Sequence, residues 1–211
     1  MESLTSALLT DGPSDRALIP ILTWLLRQHL GRSSAISCDW VDMGRLRQRP
    51  ASLSERIRLA VDLQPCDLLF VHRDAESADP EHRYREINRA LVQLQSERIL
   101  VPCVCVVPVR MTEAWLLMNE SSIRDASGNP HGRMPLALPR QAEIESLVDP
   151  KEKLHALLTQ ASGYHGRRRK KFRARVHVYR ISEHASDHSC LRALPSFRRL
   201  EADVRTYLAS H

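Results

Sequence analysis

The chain has 211 residues, of which 43% are hydrophobic, and this is enough to bury one core of the size of a single domain. Its apolar runs are far shorter than the roughly 20 residues that a membrane-spanning helix needs, and its first residues lack the pattern of a secretory signal, so we expect a soluble cytoplasmic protein. The formal net charge of +6 favours association with a polyanion. The 5 cysteines lack the spacing of zinc ligands, and no structural disulfide or zinc site is expected.

Short apolar runs alternate with amphipathic segments over residues 1–120. Strands and helices are predicted in turn over residues 7–10, 14–30, 35–43, 53–63, 67–72, 80–97 and 100–109, and a further helix begins with Thr112 as its cap. Pro20 lies inside the first helix and predicts a kink or a late helix start. Because residues 68–71 and 100–109 are continuously apolar, the segments 67–72 and 100–109 are typical of parallel strands covered by helices on both faces. We therefore expect an α/β fold with a small, doubly wound, mostly parallel sheet flanked by helices.

The periodic pattern loosens in the last third of the chain. Residues 127–139 are rich in Gly, Pro and Asn and predict an irregular loop, and helices resume over 149–160 and 198–208. We expect an α/β domain over residues 1–120, and an irregular loop with a helical, basic C-terminal extension over residues 121–211 that packs on this domain.

Acidic residues follow three of the predicted strands. Asp11 and Asp15 come after the first strand, Asp74 and Glu76 after the third, and Glu113 just after the fourth. The carboxyl ends of parallel strands meet at one edge of a sheet, so these carboxylates are expected to lie close together. Carboxylates at close range repel one another unless a cation compensates them, and oxygen ligands without a His or Cys pair favour Mg²⁺ or Mn²⁺. The pattern predicts a divalent-metal site made by these five residues.

Each of these carboxylates also has an ordinary structural explanation. Asp15 and Glu113 fall near the start of a helix, where the helix dipole favours an acid, and Asp74 is a common turn residue. Their joint position after three strands favours the metal site. Arg110 lies three residues before Glu113 and is a candidate for binding a phosphate oxygen, or for a structural pair with one of the acids. A small-molecule phosphotransfer enzyme or phosphatase on a similar sheet is a further alternative, but Gly12 stands alone rather than in a glycine-rich phosphate-binding loop, which argues against it.

A concentrated run of positive charge lies in the last third of the chain. The run comprises Arg167, Arg168, Arg169, Lys170 and Lys171, and it is followed by Arg173, Arg175 and Arg180. Such a run fits non-specific contacts with nucleic-acid phosphates, and the neighbouring Phe172 and Tyr179 are candidates for base stacking. A solvated surface loop explains the same charges equally well.

Several of these segments resemble a known family. The apolar strand, acid, glycine, aspartate and apolar helix over residues 8–26 resemble the first motif of Toprim domains, the fold shared by topoisomerases, bacterial primases, small ribonucleases and the overcoming-lysogenization-defect nucleases. Asp74-Ala75-Glu76, after the apolar residues 68–72, looks like their second motif, Asp-x-Asp. Residues 107–117 and Pro195-Ser196-Phe197 are similar to segments of an uncharacterised Toprim-like family whose members often lie beside ATPases in bacterial defence loci.

The resemblance implies a magnesium-dependent nuclease of DNA or RNA that acts as an anti-phage defence effector with an ATPase partner. On this model the five carboxylates hold the metal ion, Asp11 is also the catalytic acid or base, and Arg110 binds the reacting phosphate. Two positions depart from the family, since Asp11 stands where Glu is usual and Glu76 stands where Asp is usual. Both changes keep the charge but move the carboxylate by about one methylene, so the alternative is a catalytically silent Toprim-like subunit that binds nucleic acid or protein.

Overall fold

A parallel sheet of four strands lies at the centre of the part of the chain that the structure describes. The structure is a computed structural model and describes residues 3–31, 33–46, 50–77 and 79–210. The strands are β1 (Ser3–Leu9), β2 (Ala35–Trp40), β3 (Leu68–His72) and β4 (Cys103–Val106). Their order is β2-β1-β3-β4, and each neighbouring pair is parallel. Leu8 pairs with Trp40 on one side and with Phe70 on the other, which sets the register.

Helices connect the strands and cover both faces of the sheet. They are α1 (Leu18–His29), α2 (Leu53–Leu63), α3 (Glu81–Ser96), α4 (Glu113–Leu116), α5 (Glu120–Ala126), α6 (Pro150–Ala161), α7 (Gly166–Lys171), α8 (Val178–His184) and α9 (Pro195–Ala209). The predicted doubly wound α/β fold with a parallel sheet is confirmed, and it is consistent with a Toprim-like fold. Within the described residues, no helix is both long enough and apolar enough to cross a membrane.

The sheet separates two hydrophobic cores. Successive side chains of a strand point to opposite faces, so Leu8 and Phe70 enter one core while Leu9 and Val71 enter the other. Helix α1 packs in the first core, whereas α2 and α3 pack in the second. All five residues of β3 are buried, as its continuous apolar sequence predicted.

The turn after β1 delays the first helix. Residues Pro13–Ala17 form a 3-10 helix, and α1 begins only at Leu18 with Pro20 in its first turn. Proline is tolerated there because the backbone N–H that it lacks would have no acceptor within the helix. The late start predicted from Pro20 is confirmed.

Several boundaries around and beyond β4 differ from those predicted. The strand covers Cys103–Val106 rather than residues 100–109, and α9 begins at Pro195 rather than at residue 198. The predicted helix after Thr112 ends after one turn, and α5 follows where a loosened pattern was expected. The start of α4 agrees with the predicted helix after Thr112, but helices of four and seven residues are too short to establish a 3.6-residue periodicity, so the sequence pattern predicted neither the end of α4 nor the presence of α5.

The C-terminal helices share the first core with the sheet. Buried residues of α6, α8 and α9 belong to the same hydrophobic cluster as α1. Trp115 Nε1 donates a hydrogen bond to Ser196 Oγ at 3.0 Å, and its ring meets Phe197 edge-on with centroids 5.3 Å apart. Tyr207 Oη donates to the carbonyl oxygen of Asp67 at 2.8 Å. These contacts tie α9 to α4 and to the start of β3.

The bond between Trp115 and Ser196 gives a test of this docking. We expect Ser196→Ala to lower the free energy of unfolding by about 1–3 kcal/mol, because the buried indole N–H loses its acceptor. The loss should be smaller in a Trp115→Phe background, where no indole N–H remains. Urea denaturation of the four proteins measures the coupling. Equal losses in the two backgrounds would show that the Ser196 hydroxyl acts through a different contact.

Candidate active site

The predicted acidic loops surround the point at which the sheet changes its winding direction. From β1 the chain crosses through α1 to β2, whereas α2 and α3 lead it over the opposite face to β3 and β4. The loops that follow the neighbouring strands β1 and β3 therefore diverge and leave a crevice between them. Open α/β sheets bind their ligands at this position.

Backbone hydrogen bonds hold the loop after β3 against the loop after β4. Ala75 N donates to Pro108 O at 3.1 Å, and Glu76 N donates to Arg110 O at 2.7 Å. Arg110 N donates in turn to Ser77 O at 3.1 Å. The two loops therefore continue the pairing of their strands, and this fixes their side chains relative to one another.

His72, the last residue of β3, lies at the centre of the site and is almost fully buried. Its Nε2 lies 3.2 Å from Asp74 Oδ1 and 3.0 Å from Thr112 Oγ1. Thr112 N donates to Asp74 Oδ1 at 2.8 Å, and its hydroxyl lies 3.2 Å from the same oxygen. The Thr112 side chain makes no capping bond to α4, contrary to the prediction, because its hydroxyl is bound to Asp74 and His72.

Asp15 lies on the other side of the His72 ring. Its Oδ2 is 3.6 Å from His72 Nδ1, which is too long for a hydrogen bond, and Nδ1 has no hydrogen-bond partner among the described residues. Gly12 N donates to Asp15 Oδ2 at 3.3 Å, and Ser14 Oγ donates to Oδ1 at 3.3 Å. The acidic turn after β1 therefore directs Asp15 into the crevice.

Burial and the neighbouring charges shift the pKa values of Asp15 and His72 in opposite directions. Burial raises the pKa of Asp15, and the charge of His72 lowers it only in part. Burial alone lowers the pKa of His72, but its hydrogen bond to Asp74 and the charges of Asp74 and Asp15 outweigh burial, so the pKa is raised. The site therefore holds an imidazole with a raised pKa between two aspartates. His72 belongs to no recognisable sequence motif. The feature that could have identified it is its position at the end of a buried strand, two residues before Asp74.

Glu113 enters the site from the first turn of α4. Burial raises its pKa, Lys151 lowers it in part, and the charges of Asp74 and Asp15 raise it further. Lys151 Nζ lies 3.9 Å from Glu113 Oε1, because the first turn of α6 packs beside α4. Sequence spacing did not reveal this contact, which joins residues 38 positions apart. We call Asp15, Asp74 and Glu113 the inner carboxylates.

Asp11 and Glu76 lie at the rim of the site, where arginines pair with them. Asp11 Oδ1 accepts a hydrogen bond from Arg56 Nη1 at 2.7 Å, and Asp11 Oδ2 lies 3.1 Å from Arg73 Nε. Glu76 Oε2 accepts from Arg83 Nη2 at 2.7 Å, and the Glu76 side chain is 71% exposed. Both rim carboxylates are thus compensated by arginine, unlike the inner carboxylates.

Arg110 combines an unusual backbone with an unpartnered side-chain nitrogen. Its Nε is buried and has no hydrogen-bond partner among the described residues. Its φ is 61° and that of the hydrogen-bonded Glu76 is 58°, a left-handed conformation that costs a non-glycine residue about 1–2 kcal/mol. A buried guanidinium N–H without an acceptor favours binding of an anion at this position.

A cavity of about 660 Å³ opens beside Asp11, between the ends of β1 and β2. Thr10, Trp40, Met43 and Arg56 are among its walls. Trp40 Nε1 donates to Thr10 Oγ1 at 3.1 Å, which holds the indole against the turn after β1. The cavity leaves room for a ligand larger than a metal ion next to the rim of the site.

The basic run predicted to bind nucleic acid forms the exposed helix α7. Every side chain of residues 167–171 is exposed, and within the described part of the chain none of them forms an ion pair. Phe172 stacks on His177 with ring centroids 4.6 Å apart, and Tyr179 lies beneath the guanidinium of Arg16. These two aromatic rings therefore serve packing, whereas Tyr164, just before the run, is 41% exposed.

The inner carboxylates have the donor chemistry of a Mg²⁺ or Mn²⁺ site. They supply oxygen ligands, and because burial raises the pKa of Asp15 and Glu113, a bound cation would favour their charged forms. His72 separates Asp15 from Asp74, and among the described residues no three His, Cys, Asp or Glu side chains are arranged to hold an ion as they stand. The donor set fits a divalent cation, and binding requires these side chains to close around it.

The fold and the site define an open α/β protein with an acidic crevice at the winding switch of its sheet. No protein-family model matches the chain, and comparisons with curated proteins and with solved structures found no match.

The left-handed backbone of Arg110 generates a prediction for stability. Arg110→Gly should leave the free energy of unfolding unchanged or raise it by up to about 1 kcal/mol, because glycine adopts this conformation without strain. Arg98→Gly is a matched control, since Arg98 is exposed at the end of α3 and has a φ of 63°. Urea denaturation measures both variants. A loss of more than about 2 kcal/mol from Arg110→Gly alone would show that the guanidinium stabilises the fold.

Proposed function

We propose that this protein is a metal-dependent nuclease that hydrolyses phosphodiester bonds of DNA or RNA. The observation that carries the proposal is the convergence of the three inner carboxylates, from three separate loops, on the crevice at the carboxyl edge of the sheet. A buried cluster of this kind needs a cation, and the resemblance of the same segments to Toprim motifs supports Mg²⁺ or Mn²⁺.

The inner carboxylates are proposed to hold the ion, which supplies polarisation of the phosphate and activation of a water molecule when it is bound. His72 positions two of them, through its contacts with Asp74 and Asp15. Lys151, beside Glu113, is placed to neutralise negative charge that develops on the reacting phosphate.

Arg110 and Asp11 complete the proposed reaction. Arg110 binds a phosphate oxygen through its guanidinium, whose buried Nε has no other acceptor among the described residues. Asp11 accepts the proton of the attacking water, and its carboxylate is oriented for this by Arg56 and Arg73. Glu76, which is paired with Arg83 at the rim, would be a further carboxylate ligand of the ion.

Helix α7 is proposed to bind the phosphates of the nucleic acid through Arg167, Arg168, Arg169, Lys170 and Lys171. A role in anti-phage defence, in the cytoplasm and with an ATPase partner, extends the proposal and rests on the family resemblance. The exposed and unpaired charges of α7 support the nucleic-acid partner independently of that resemblance.

A catalytically silent subunit that binds nucleic acid or protein is the second candidate. It is favoured by the arginine pairs that hold Asp11 and Glu76, and by the His72 ring between Asp15 and Asp74. In such a protein the imidazole would replace a metal ion as the compensating charge. The basic helix would then account for the whole of the function.

A cleavage assay distinguishes the two candidates. Plasmid, linear DNA, single strands and transfer RNA are incubated with the protein and Mg²⁺, Mn²⁺ or a chelator. We expect cleavage that the chelator abolishes and that Asp15→Asn and Asp74→Asn each reduce by about 100-fold or more, because each removes a charged metal ligand. Calorimetric titration with Mn²⁺ should show weaker binding to the same variants.

Asp62→Asn is the matched control, since Asp62 is an exposed aspartate of α2 outside the site. It should cleave and bind Mn²⁺ like the wild type. Cleavage that persists in Asp74→Asn or in chelator would refute the assignment of this site. Salt-sensitive binding without cleavage of any substrate would identify the silent subunit.

The basic helix is tested through the salt dependence of binding. Replacing all five basic residues of 167–171 by Gln should weaken binding and reduce the slope of log K against log salt, by up to about 4.5 for duplex DNA if every residue contacts a phosphate. Fluorescence anisotropy at several salt concentrations measures the slope. An unchanged slope would exclude α7 from the interface.

A further inference from the structure

One face of α6 connects the inner carboxylates with the basic helix. Lys151, His155 and Thr159 are spaced four residues apart, so their side chains form a row along this face. At one end Lys151 approaches Glu113, and at the other Thr159 lines a depression together with Arg169 of α7. The helix rises about 1.5 Å per residue, so the row is about 12 Å long.

Two further arginines lie beside the middle of this row. His155 lines a depression of about 350 Å³ with Arg173 and Arg175, which belong to the segment packed against α6. Both arginines are exposed and form no ion pair within the described residues, and the buried Nε2 of His155 has no hydrogen-bond partner there. The nearby carboxylate of Asp149 is occupied by the backbone N–H of Glu152 at 2.7 Å. Within the described residues, the unpaired positive charge beside the row therefore comes from Arg169, Arg173 and Arg175, because Lys151 lies beside Glu113 and because burial and Lys151 lower the pKa of His155.

We propose that this face of α6 binds one strand of single-stranded nucleic acid and leads it from α7 to the inner carboxylates. We call this surface the strip, and its members are Lys151, His155, Thr159, Arg169, Arg173 and Arg175. The end point of the path rests on the proposed function, whereas the binding surface does not. The cations of the strip, Lys151, Arg169, Arg173 and Arg175, follow one narrow path, which matches one phosphate backbone, while a duplex presents two.

An exposed aromatic ring at the far end of the strip favours unpaired bases. Tyr164 lines the same depression of about 380 Å³ as Thr159 and Arg169, and its side chain is largely free of the core. One edge of the ring meets Phe172 at a centroid distance of 5.9 Å, which holds it in place. Stacking on such a ring requires a base whose face is free, and a paired and stacked base does not offer one.

The strip is tested by measuring the binding of nucleic acid in the presence of a chelator. Every protein compared also carries Asp74→Asn, so that cleavage plays no part. Anisotropy compares a 12-nucleotide single strand with the corresponding duplex. Arg173→Gln with Arg175→Gln should weaken single-strand binding by on the order of tenfold and flatten its salt slope by about 1.4, because two phosphate contacts are lost. Tyr164→Ala should weaken binding of the single strand and not of the duplex, and Tyr164→Phe should restore it.

The matched control is Arg85→Gln with Arg89→Gln, which removes two exposed arginines of α3 on the opposite face of the sheet. It should leave the affinity for the single strand and its salt slope unchanged. Equal losses from both double variants, tighter binding of the duplex than of the single strand, or no effect of Tyr164→Ala would each overturn the strip. If the wild-type protein cleaves no substrate but the binding measurements come out as expected, the nuclease proposal is overturned and the strip is not.

Discussion

Compensation of negative charge at the carboxyl edge of the sheet is the constraint on which this structure depends. The parallel topology brings the loops after β1, β3 and β4 to one edge, and each loop carries acidic residues. Buried carboxylates without a cation are unfavourable, so the fold must supply positive charge from elsewhere. Lys151 supplies it from α6, and arginines of α2, α3 and the β3 loop supply it at the rim. The His72 imidazole, whose pKa is raised by its hydrogen bond to Asp74 and by the neighbouring aspartates, lies between Asp15 and Asp74.

The carboxylates at the rim are compensated more fully than those in the interior of the site. Asp11 and Glu76 form close ion pairs with arginines at partly exposed positions. The pKa of Asp15 and that of Glu113 remain raised, because burial exceeds the stabilisation that neighbouring cations give them. An additional positive charge is therefore favourable beside the inner carboxylates, whereas the rim carboxylates are already paired with arginines. On the proposed function, a divalent cation among the inner carboxylates meets that demand.

The C-terminal third of the chain contributes cations to the same crevice because it shares a core with the sheet. The bond from Trp115 to Ser196 and the contact with Phe197 dock α9 beside α4, and α6 packs along α4 on the same side. This packing places Lys151 beside Glu113 and aligns the strip with the crevice. The basic extension is thus joined to the acidic edge through a rigid helix rather than through a free loop.

The sequence by itself determined the α/β alternation, the burial of β3 and the position of the acids after the strands, because periodicity records which side chains are buried and turn residues mark where strands end. It did not determine where α4 ends or that α5 follows it, because both helices span too few residues to show a period. Only the tertiary structure decided that His72 lies between Asp15 and Asp74, that Asp11 pairs with Arg56, and that Lys151 reaches Glu113. Apart from the short step from His72 to Asp74, these contacts join residues far apart in the chain, and their geometry follows from strand order and helix packing rather than from local pattern.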